Sequence, residues 1–495
     1  MFARNLLWLL ALTPYPASVP RPALRPVLHA FVFQHDGILG TSLDLTFVTA
    51  SPTEAEVAEH VALAEIERLR RIISTWDRSS EVSRLVASGH APHASADLIA
   101  VLNQYGAWQQ RTGNAYSARV AMLAGLWREA QQQNRLPDSA ALAAVVRSIQ
   151  SPAWRIDGTA VTMLAPTPID LNSLGKGYII DRVVQLVRER VPGVRGGLVN
   201  IGGDVRAWGE AAHAGGSTWR VAIADPRDHA DNAAPLSELH VADRAVSSSG
   251  NYERGFDING QHWSHIIDPR TGYPADNHAG VTVIANDNAT ANALATAISV
   301  LSAGDALRLV AATPGAEALI VTSKGTTIRT PGFAAFESPR PSPAAPAAPS
   351  LIQGSVVFDV TPKESNRHRP YVAVWITDTA NKHIRTLAFW GSKPKYQREM
   401  SKWWGQFGTE TDIVDAVTRA TRPTGKYTLD WDGLNQAGAA VPAGPYRFWL
   451  EAAFEDGAHS VKSVVVNCGG STATGALDAA AAFAGGLVEC MQAGK

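Results

Sequence analysis

Trp263 to Val300 reads WSHIIDPRTGYPADNHAGVTVIANDNATANALATAISV, and the change of pattern inside it decides the fold class. Val281 to Ala285 is a short β-branched strand and a helix is expected to start near Ala289, so this stretch places strand and helix side by side. Ahead of the strand, His265 and Asp268 stand three residues apart and an Arg-Thr-Gly turn follows. On the helix, Asn292 and Thr296 are four residues apart, so their side-chain oxygens project from one face, one turn apart. Two oxygens at that spacing can share one hard cation. Packing alone asks for no such combination.

Composition sets the bounds around this stretch. At 495 residues the chain exceeds what one hydrophobic core serves, so two or more domains are expected. Hydrophobic residues at 45% and charged residues at 18% describe a globular protein with ample core material. The formal net charge of -1, with no basic cluster interleaved with aromatics, argues against nucleic acid as a partner and against a direct hold on an anionic membrane. Both cysteines, Cys468 and Cys490, lie near the carboxyl end, and no Cys/His set has metal-ligand spacing. A chain thiol-free up to that point suits an oxidising compartment. At the amino terminus Arg4, the apolar run LLWLLAL from Leu6 to Leu12, and then Pro14, Pro16, Ala17 and Ser18 form a secretory signal over residues 1–18, although Tyr15 replaces the small residue expected before the cut. That run is too short to span a bilayer, and no lipobox cysteine follows it. Export to the periplasm is the expectation.

From Gly37 to Ala50, GILGTSLDLTFVTA alternates as a half-buried strand does. Glu54 to Ile73 carries Val57, Val61, Ala62, Ile66, Leu69 and Ile73 at helical spacing, an amphipathic helix that packs on a sheet. The polar loop STWDRSSEVSRL follows, Ser74 to Leu85, where Trp76 either stacks on a planar ligand or anchors the loop by packing. Helices are expected over Ala96–Thr112, Met122–Ala130 and Leu136–Gln150, and a hairpin over Trp154–Leu164 turning at Asp157-Gly158. In IDLNSLGKGYIIDRVVQLVR, Asp170 ends a strand and Gly175-Lys176-Gly177 opens a helix. Those glycines either bring amides and a cation close to an anion or belong to an ordinary helix start, and the P-loop spacing is absent. In GLVNIGGDVRAW, Asn200 precedes Gly202-Gly203 and Asp204, and the glycine pair either admits a ligand or forms a tight bend. Ser247-Ser248-Ser249-Gly250 reads as a turn that suits a phosphate or is simply solvated. A helix over Gly304–Thr313 and a strand over Ala318–Thr322 close the first domain near Phe336.

Residues 338–353 form a Pro/Ala/Ser-rich linker, expected to stay extended. Beyond it, short alternating runs around Asp432-Gly433 and Ala443-Gly444 argue a β-sandwich over 354–466. The Ala/Gly-rich tail, 467–495, offers little to pack.

As a set, LGTSLDLTF, TWDRSSEVSRL, DLNSLGKGYIIDRV, VNIGGDVRAWG, SSSGNYER, HIIDPRTGYPA and ANALATAISVL, in this order, resemble the ApbE family, the FAD:protein FMN transferases. The resemblance covers a domain of residues 30–337. The segment behind the linker resembles an uncharacterised β-sandwich often fused to such modules, with Trp431-Asp432-Gly433 as its mark. The resemblance implies a T-fold-related α+β domain followed by an all-β domain. It implies FAD as substrate, Mg²⁺, and a target protein carrying a flavinylation motif, whose Thr or Ser hydroxyl attacks the FMN phosphorus and expels AMP. Any membrane association would come indirectly, through that target. By the same resemblance, the Gly175 carbonyl, Asn292 and Thr296 hold the metal, His265 handles the hydroxyl proton and Asp268 orders its loop. Lys176, Asn200, Gly202, Gly203, Asp204, Ser249 and Gly250 line the FAD site, with Tyr116 and Trp76 as weaker candidates for the flavin and adenine walls.

The family's metal motif is usually written ADALAT, and here Asn292 takes the aspartate position. An amide oxygen brings no negative charge, so weaker metal affinity is expected. Asp287 falls at or before the helix start and off that face. A second reading is therefore an FAD-binding carrier with weakened turnover. A third makes the β-sandwich an adhesion module with the flavin domain as accessory.

Overall fold

The computed structural model describes residues 27–338 and 352–492, apart from 166, 212–217, 229, 231, 252–253, 361–370, 391–399, 404–415, 419–424 and 455–457. The expected export signal and nearly all of the linker lie outside the described residues.

The first domain grows from hairpins. His29–Ile38 (β1) and Thr41–Thr49 (β2) pair across Leu39 and Gly40, both at positive φ, the conformation a two-residue hairpin turn requires. Then come Pro52–Ile73 (α1), Glu81–Ser88 (α2), His90–Ala91 (β3), Ala96–Arg111 (α3), Val120–Gln132 (α4) and Ser139–Ile149 (α5). Trp154–Asp157 (β4), Ala160–Met163 (β5), Asn172–Arg190 (α6), Gly196–Ile201 (β6), Asp204–Gly209 (β7), Trp219–Ile223 (β8) and Ser237–Val241 (β9) follow. Ala245–Gly250 (β10), Gly255–Ile258 (β11), Gln261–Ser264 (β12), His278–Ala285 (β13), Asn288–Val300 (α7), Ala303–Ala311 (α8), Glu317–Thr322 (β14) and Thr327–Arg329 (β15) complete it. The helix signals are local: α1 starts at the Ser51 cap with Pro52 and Glu54 in its first turn and ends on Arg70 and Arg71, which suits the helix dipole at both ends.

One antiparallel sheet runs in the order β1-β2-β6-β7-β10-β13-β14-β15. Its strands alternate, so each face has its own core. Leu43, Leu45, Phe47, Val199, Ile201, Val281, Val283 and Ile320 pack under α1, α6 and α7. Leu198, Val205, Ala207, Val246, Ile284 and Leu319 face the β8–β9 hairpin instead, against Trp219, Val221 and Leu239. Where α6 crosses α7, a Cβ on Gly177 would lie 2.6 Å from the Asn288 carbonyl oxygen, so only glycine permits this approach.

Three sequence expectations change here. The polar loop after Ser74 ends early, because Ser80 caps α2 and Val82 and Leu85 bury its apolar side. The serine run is no turn; it is β10, hydrogen-bonded to β13 from Ala245 to Gly250. The Gly-Lys-Gly triplet does not open a helix either, since α6 begins at Asn172, and Asp170 sits in an unpaired connection.

The second domain stacks sheet on sheet. Ile352–Asp359 (β16), Tyr371–Asp378 (β17), His383–Trp390 (β18), Ala416–Thr418 (β19), Lys426–Trp431 (β20), Gly444–Ala453 (β21), His459–Cys468 (β22), Ala473–Leu477 (β23) and Gly485–Gln492 (β24) are its strands. Sheets β20-β16-β24-β23 and β18-β17-β21-β22 bury Val356, Phe358, Trp431 and Val488 against Val374, Phe448 and Leu450. The tail expected to lack structure supplies β23 and β24, and β24 lies inside its sheet, paired with β16 from Ile352↔Gln492 to Asp359↔Gly485. Its small residues are fitted: a Cβ on Gly486 would stand 2.8 Å from the Val357 carbonyl oxygen. Cys468 and Cys490 form a disulfide between the two sheets, with Cα atoms 5.1 Å apart. Between the domains, the Asn232 amide donates to the Asp430 carbonyl at 2.6 Å and accepts from the Asp430 N–H at 2.7 Å, so a side chain pairs the edge of β20 as a peptide would. β19 runs parallel to β8.

Candidate active site

Polar side chains gather where α6 and α7 meet the sheet. The alternation that puts Ile201 and Ala245 on the helix side does the same for Asp204 on β7 and for Ser247 and Ser249 on β10. Asp204 forms an ion pair with Lys176 of α6 and accepts from Asn292 Nδ2 of α7 at 2.8 Å, so one carboxylate joins three elements. Burial pushes the Asp204 carboxyl up, while Lys176, Ser247 and Asn292 pull it down. Asn288 donates to the Val205 carbonyl at 2.9 Å and Ser247 Oγ reaches its Oδ1 at 3.4 Å, which pins the first turn of α7 to the sheet.

That turn is held from α6 as well. The Asp181 carboxylate accepts the backbone N–H groups of Asn288 and Ala289 at 2.8 to 2.9 Å. Its pKa is pushed up to about 7 by burial, although these amides and Arg206 oppose the shift. Asp287 is the N-cap of α7, accepting from the Thr290 N–H at 2.7 Å, so it is spent at the helix start and stays away from Asn292.

Asn292 is 7% exposed and turns its NH₂ to Asp204. Its Oδ1, and Thr296 Oγ1 one turn on, make no hydrogen bond to any described residue. Gly175 lies in the second turn of α6, where a Cβ would come 3.1 Å from the Cδ1 end of Ile73 of α1, a tight contact that a small shift of that side chain relieves. Gly175 carbonyl, Asn292 Oδ1 and Thr296 Oγ1 are neutral oxygens of the kind Mg²⁺ takes. They fit that ion where a diphosphate brings the charge, because Asp204 is already shared between Lys176 and Asn292. Among the described residues no three His, Cys, Asp or Glu side chains gather as a metal set.

The glycine pair resolves as a bend. Gly202 and Gly203 have φ of 56° and 94° and link the β6–β7 hairpin at Ile201↔Asp204. Asn200 Oδ1 caps this turn, accepting the Gly203 N–H at 2.9 Å, and its Nδ2 reaches Asp44 at 3.3 Å. Asn200 pairs with Val205 and shares the sheet face of Leu198, opposite Lys176 and Asp204. The structure therefore does not bring it to the cluster. Ser249 lies on the helix face, opposite Val281, and Gly250 pairs with Gly280.

His265 follows β12. Its backbone N–H and its Nδ1 both point to the Arg254 carbonyl, at 3.2 and 3.0 Å. With Nδ1 donating, the neutral ring carries its lone pair on Nε2, which has no partner among the described residues. The residue is exposed by accessible surface, yet the protein mass around its ring drives the imidazole down to about 4, with Arg254 and His262 adding to the shift. Asp268 does not touch His265; both its oxygens bind Arg270, at 2.7 to 3.2 Å, and its carbonyl accepts the Thr271 and Gly272 N–H groups. It orders the turn.

The two aromatic candidates part ways. Tyr116 is 3% exposed, stacks on Tyr105 at 5.1 Å and spends its hydroxyl on Ser173 at 2.6 Å and on the Leu174 N–H at 3.2 Å. It seats the start of α6 from inside the core and presents no wall to a ligand. Trp76 is 77% exposed, far too open for the packing anchor that was its alternative, on a loop tied by Arg70 to Asp77 at 2.8 Å. Sequence reasoning overlooked Asp181 and Asn288, and it named Ser247 only within the serine run and Arg270 only within the Arg-Thr-Gly turn. The signal available for the first was a lone acid inside the apolar run of α6.

Comparison with known proteins follows the same division of the chain. Residues 39–320 match the model of the ApbE family, and residues 354–483 match a family described as a predicted periplasmic protein, DUF2271. A FAD:protein FMN transferase of Klebsiella pneumoniae is 34% identical over 179 residues, 35% of this chain and 53% of that protein. One of Treponema pallidum is 30% identical over 305 residues, 57% of this chain and 82% of that protein. Among solved structures, the ApbE protein of Thermotoga maritima superposes with a TM-score of 0.54 at 28% identity, covering 63% of this chain and all of that one. The apo flavinyl transferase ApbE of Pseudomonas stutzeri gives 0.53 at 25%, covering 62% and 97%. No helix among the described residues is long and apolar enough to cross a membrane.

Proposed function

Because the chain belongs to the ApbE family of flavin-transferring enzymes, we propose that it transfers FMN from FAD to a Thr or Ser hydroxyl of a target protein and releases AMP. The observation that carries this reading is the Lys176–Asp204–Asn292 cluster beside two oxygens, Asn292 Oδ1 and Thr296 Oγ1, that no described residue pairs. Phosphoryl transfer asks a protein chiefly for position and charge. Lys176, held by Asp204, brings the cation that meets the diphosphate. Mg²⁺ would be held by the Gly175 carbonyl, Asn292 and Thr296, and would supply polarisation of the phosphorus and relief of charge on the departing AMP. The P–O bond to AMP breaks as the bond to the acceptor oxygen forms, and the hydroxyl proton passes to Nε2 of His265. A neutral imidazole with its Nδ1 hydrogen fixed on a carbonyl is set up for that role. Export to the periplasm, where the target would be met, agrees with the family description of the second domain.

One observation favours a carrier instead: the residue facing Asp204 is an amide, so the cluster closes without a metal. Purified protein given FAD, Mg²⁺ and a target with a flavinylation motif separates the two. Transfer releases AMP and leaves the target fluorescent in a denaturing gel. An unlabelled target, with FAD still bound, makes the protein a carrier.

A further inference from the structure

The turn after His265 is tied to the metal-facing helix by one side chain. Asp268, 8% exposed, takes the Arg270 guanidinium on both oxygens, through Nε at 2.9 and 3.2 Å and through the terminal nitrogen at 2.7 Å. That same terminal nitrogen donates to the Val300 carbonyl at 3.1 Å, the last residue of α7. Asn277 reaches the same carbonyl at 3.4 Å and His278 reaches the Leu301 carbonyl at 3.0 Å. Those two fasten only the start of β13 to the helix end. Arg270 alone among the three also grips the turn, whose neck is closed by Ile267 bridging Pro274 and by the Ala275 N–H on the Ile266 carbonyl at 2.7 Å. On its other flank the turn is pinned by Trp127, whose Nε1 donates to the Gly272 carbonyl at 2.9 Å from within a cluster of Phe256, Trp263 and Tyr273.

We propose that Arg270 is a positioning residue: its fork fixes the distance between the His265 turn and α7, and so between the proton acceptor and the oxygens of Asn292 and Thr296. The inference rests on the transferase reading for its effect on turnover, but not for its effect on the turn. A guanidinium is suited to the task because its planar donors hold a carboxylate and a carbonyl at once, which an ammonium on a flexible stem does not. A cation at the end of α7 also relieves the helix dipole. That structural share has to be separated from the positioning one.

The test compares Arg270→Gln and Arg270→Lys in the full chain. In both, kcat for FMN transfer falls roughly 10- to 100-fold, the scale of a small misplacement of a reacting group, while KM for FAD holds. Lysine keeps the charge at the helix end, so a variant rescued to full kcat by lysine overturns the proposal and leaves a dipole role. So does a rise in KM with a fall in kcat and in the thermal midpoint. Hydrogen exchange needs no turnover: the Thr271 and Gly272 amides, bonded to the Asp268 carbonyl, exchange faster in Arg270→Gln while the middle of α7 does not. Unchanged exchange there overturns the strut. Absent transfer in the wild type with faster exchange in the variant keeps the strut and removes the transferase reading.

Discussion

Each domain buries a carboxylate, and the two are treated in opposite ways. In the sandwich, Glu451 is 0% exposed and spends both oxygens: on the Lys402 N–H at 3.0 Å, the Trp403 N–H at 2.8 Å and His459 at 2.9 Å. Both oxygens of that group meet donors. In the first domain, Asp204 is equally buried and paired, but among the described residues its partner Asn292 keeps an unbonded oxygen, Thr296 an unbonded hydroxyl and His265 an unbonded ring nitrogen. Glu451 lies on the face of β21 turned away from the other sheet, beside Ala373 and Ala453, where the segment 400–403 covers it and brings its amides to both oxygens. Helices laid on a sheet instead leave a seam at their ends where polar groups reach neighbours without exhausting them. Unspent valence, rather than burial of charge, separates the site from the scaffold.

The contrast is broken most severely at its catalytic end. His265→Gln keeps a donor near the Arg254 carbonyl and removes the base; transfer should fall about 100- to 10,000-fold, with the thermal midpoint unchanged, and an intact rate in the AMP assay removes His265 from the chemistry. The pH profile follows from the same group. With its imidazole held down to about 4, activity should stay level through neutrality and fall only as the pH drops through that value. The stability carried by the neutral ring is complete above 6.5 and is lost as the pH falls toward 4, where the unfolded chain takes up the proton first. A rate that declines already below neutrality contradicts the depressed value.

On the scaffold side, Cys468→Ser opens the disulfide that closes a loop of 22 residues and should cost the sandwich about 3 kcal/mol, read by denaturant titration, while transfer by the first domain persists. Glu451→Gln turns one accepting oxygen into a donor facing donors. A loss of about 2 kcal/mol is expected, again without change in FAD binding. The smallest effect sharpens the comparison most. Asn292→Asp places a second carboxylate against Asp204, so the metal-free protein should lose about 1 kcal/mol, and Mg²⁺ should restore it; a melting curve indifferent to Mg²⁺ takes residue 292 out of the metal set.

The fold was legible where period and caps agree. The apolar spacing of α1 and α3 and the β4–β5 hairpin were read within a few residues of their bounds, the turn falling one residue on, at Gly158-Thr159, because each depends on neighbours in sequence. The face of a strand was harder to read. Asn200 and Asp204 flank the same glycine pair, yet the two-residue turn and the pleat place them on opposite sides of the sheet. Tyr116 and Trp76 show the same limit: an aromatic in a turn-rich segment gives no sign of whether a core or solvent lies beside it. The Ala/Gly composition of residues 473–492 hid two strands, since small residues signal weak packing in isolation but close approach beside Val357.

The pairing of β24 with β16 also orders the chain in time. The first strand of the sandwich finds its interior neighbour only among residues 485–492, so this domain joins its two ends and has the high contact order of a slow folder. The first domain, apart from the β19 strand added to β8, closes by residue 338 with Phe333 in its core and Glu337 bridged to Leu239, and a chain that emerges from its amino end can complete that much while the sandwich still waits for its last strand. Maturation of this protein should therefore pass through a state with the flavin domain folded and the second half open, and the last step should be the one that oxidants and truncations affect.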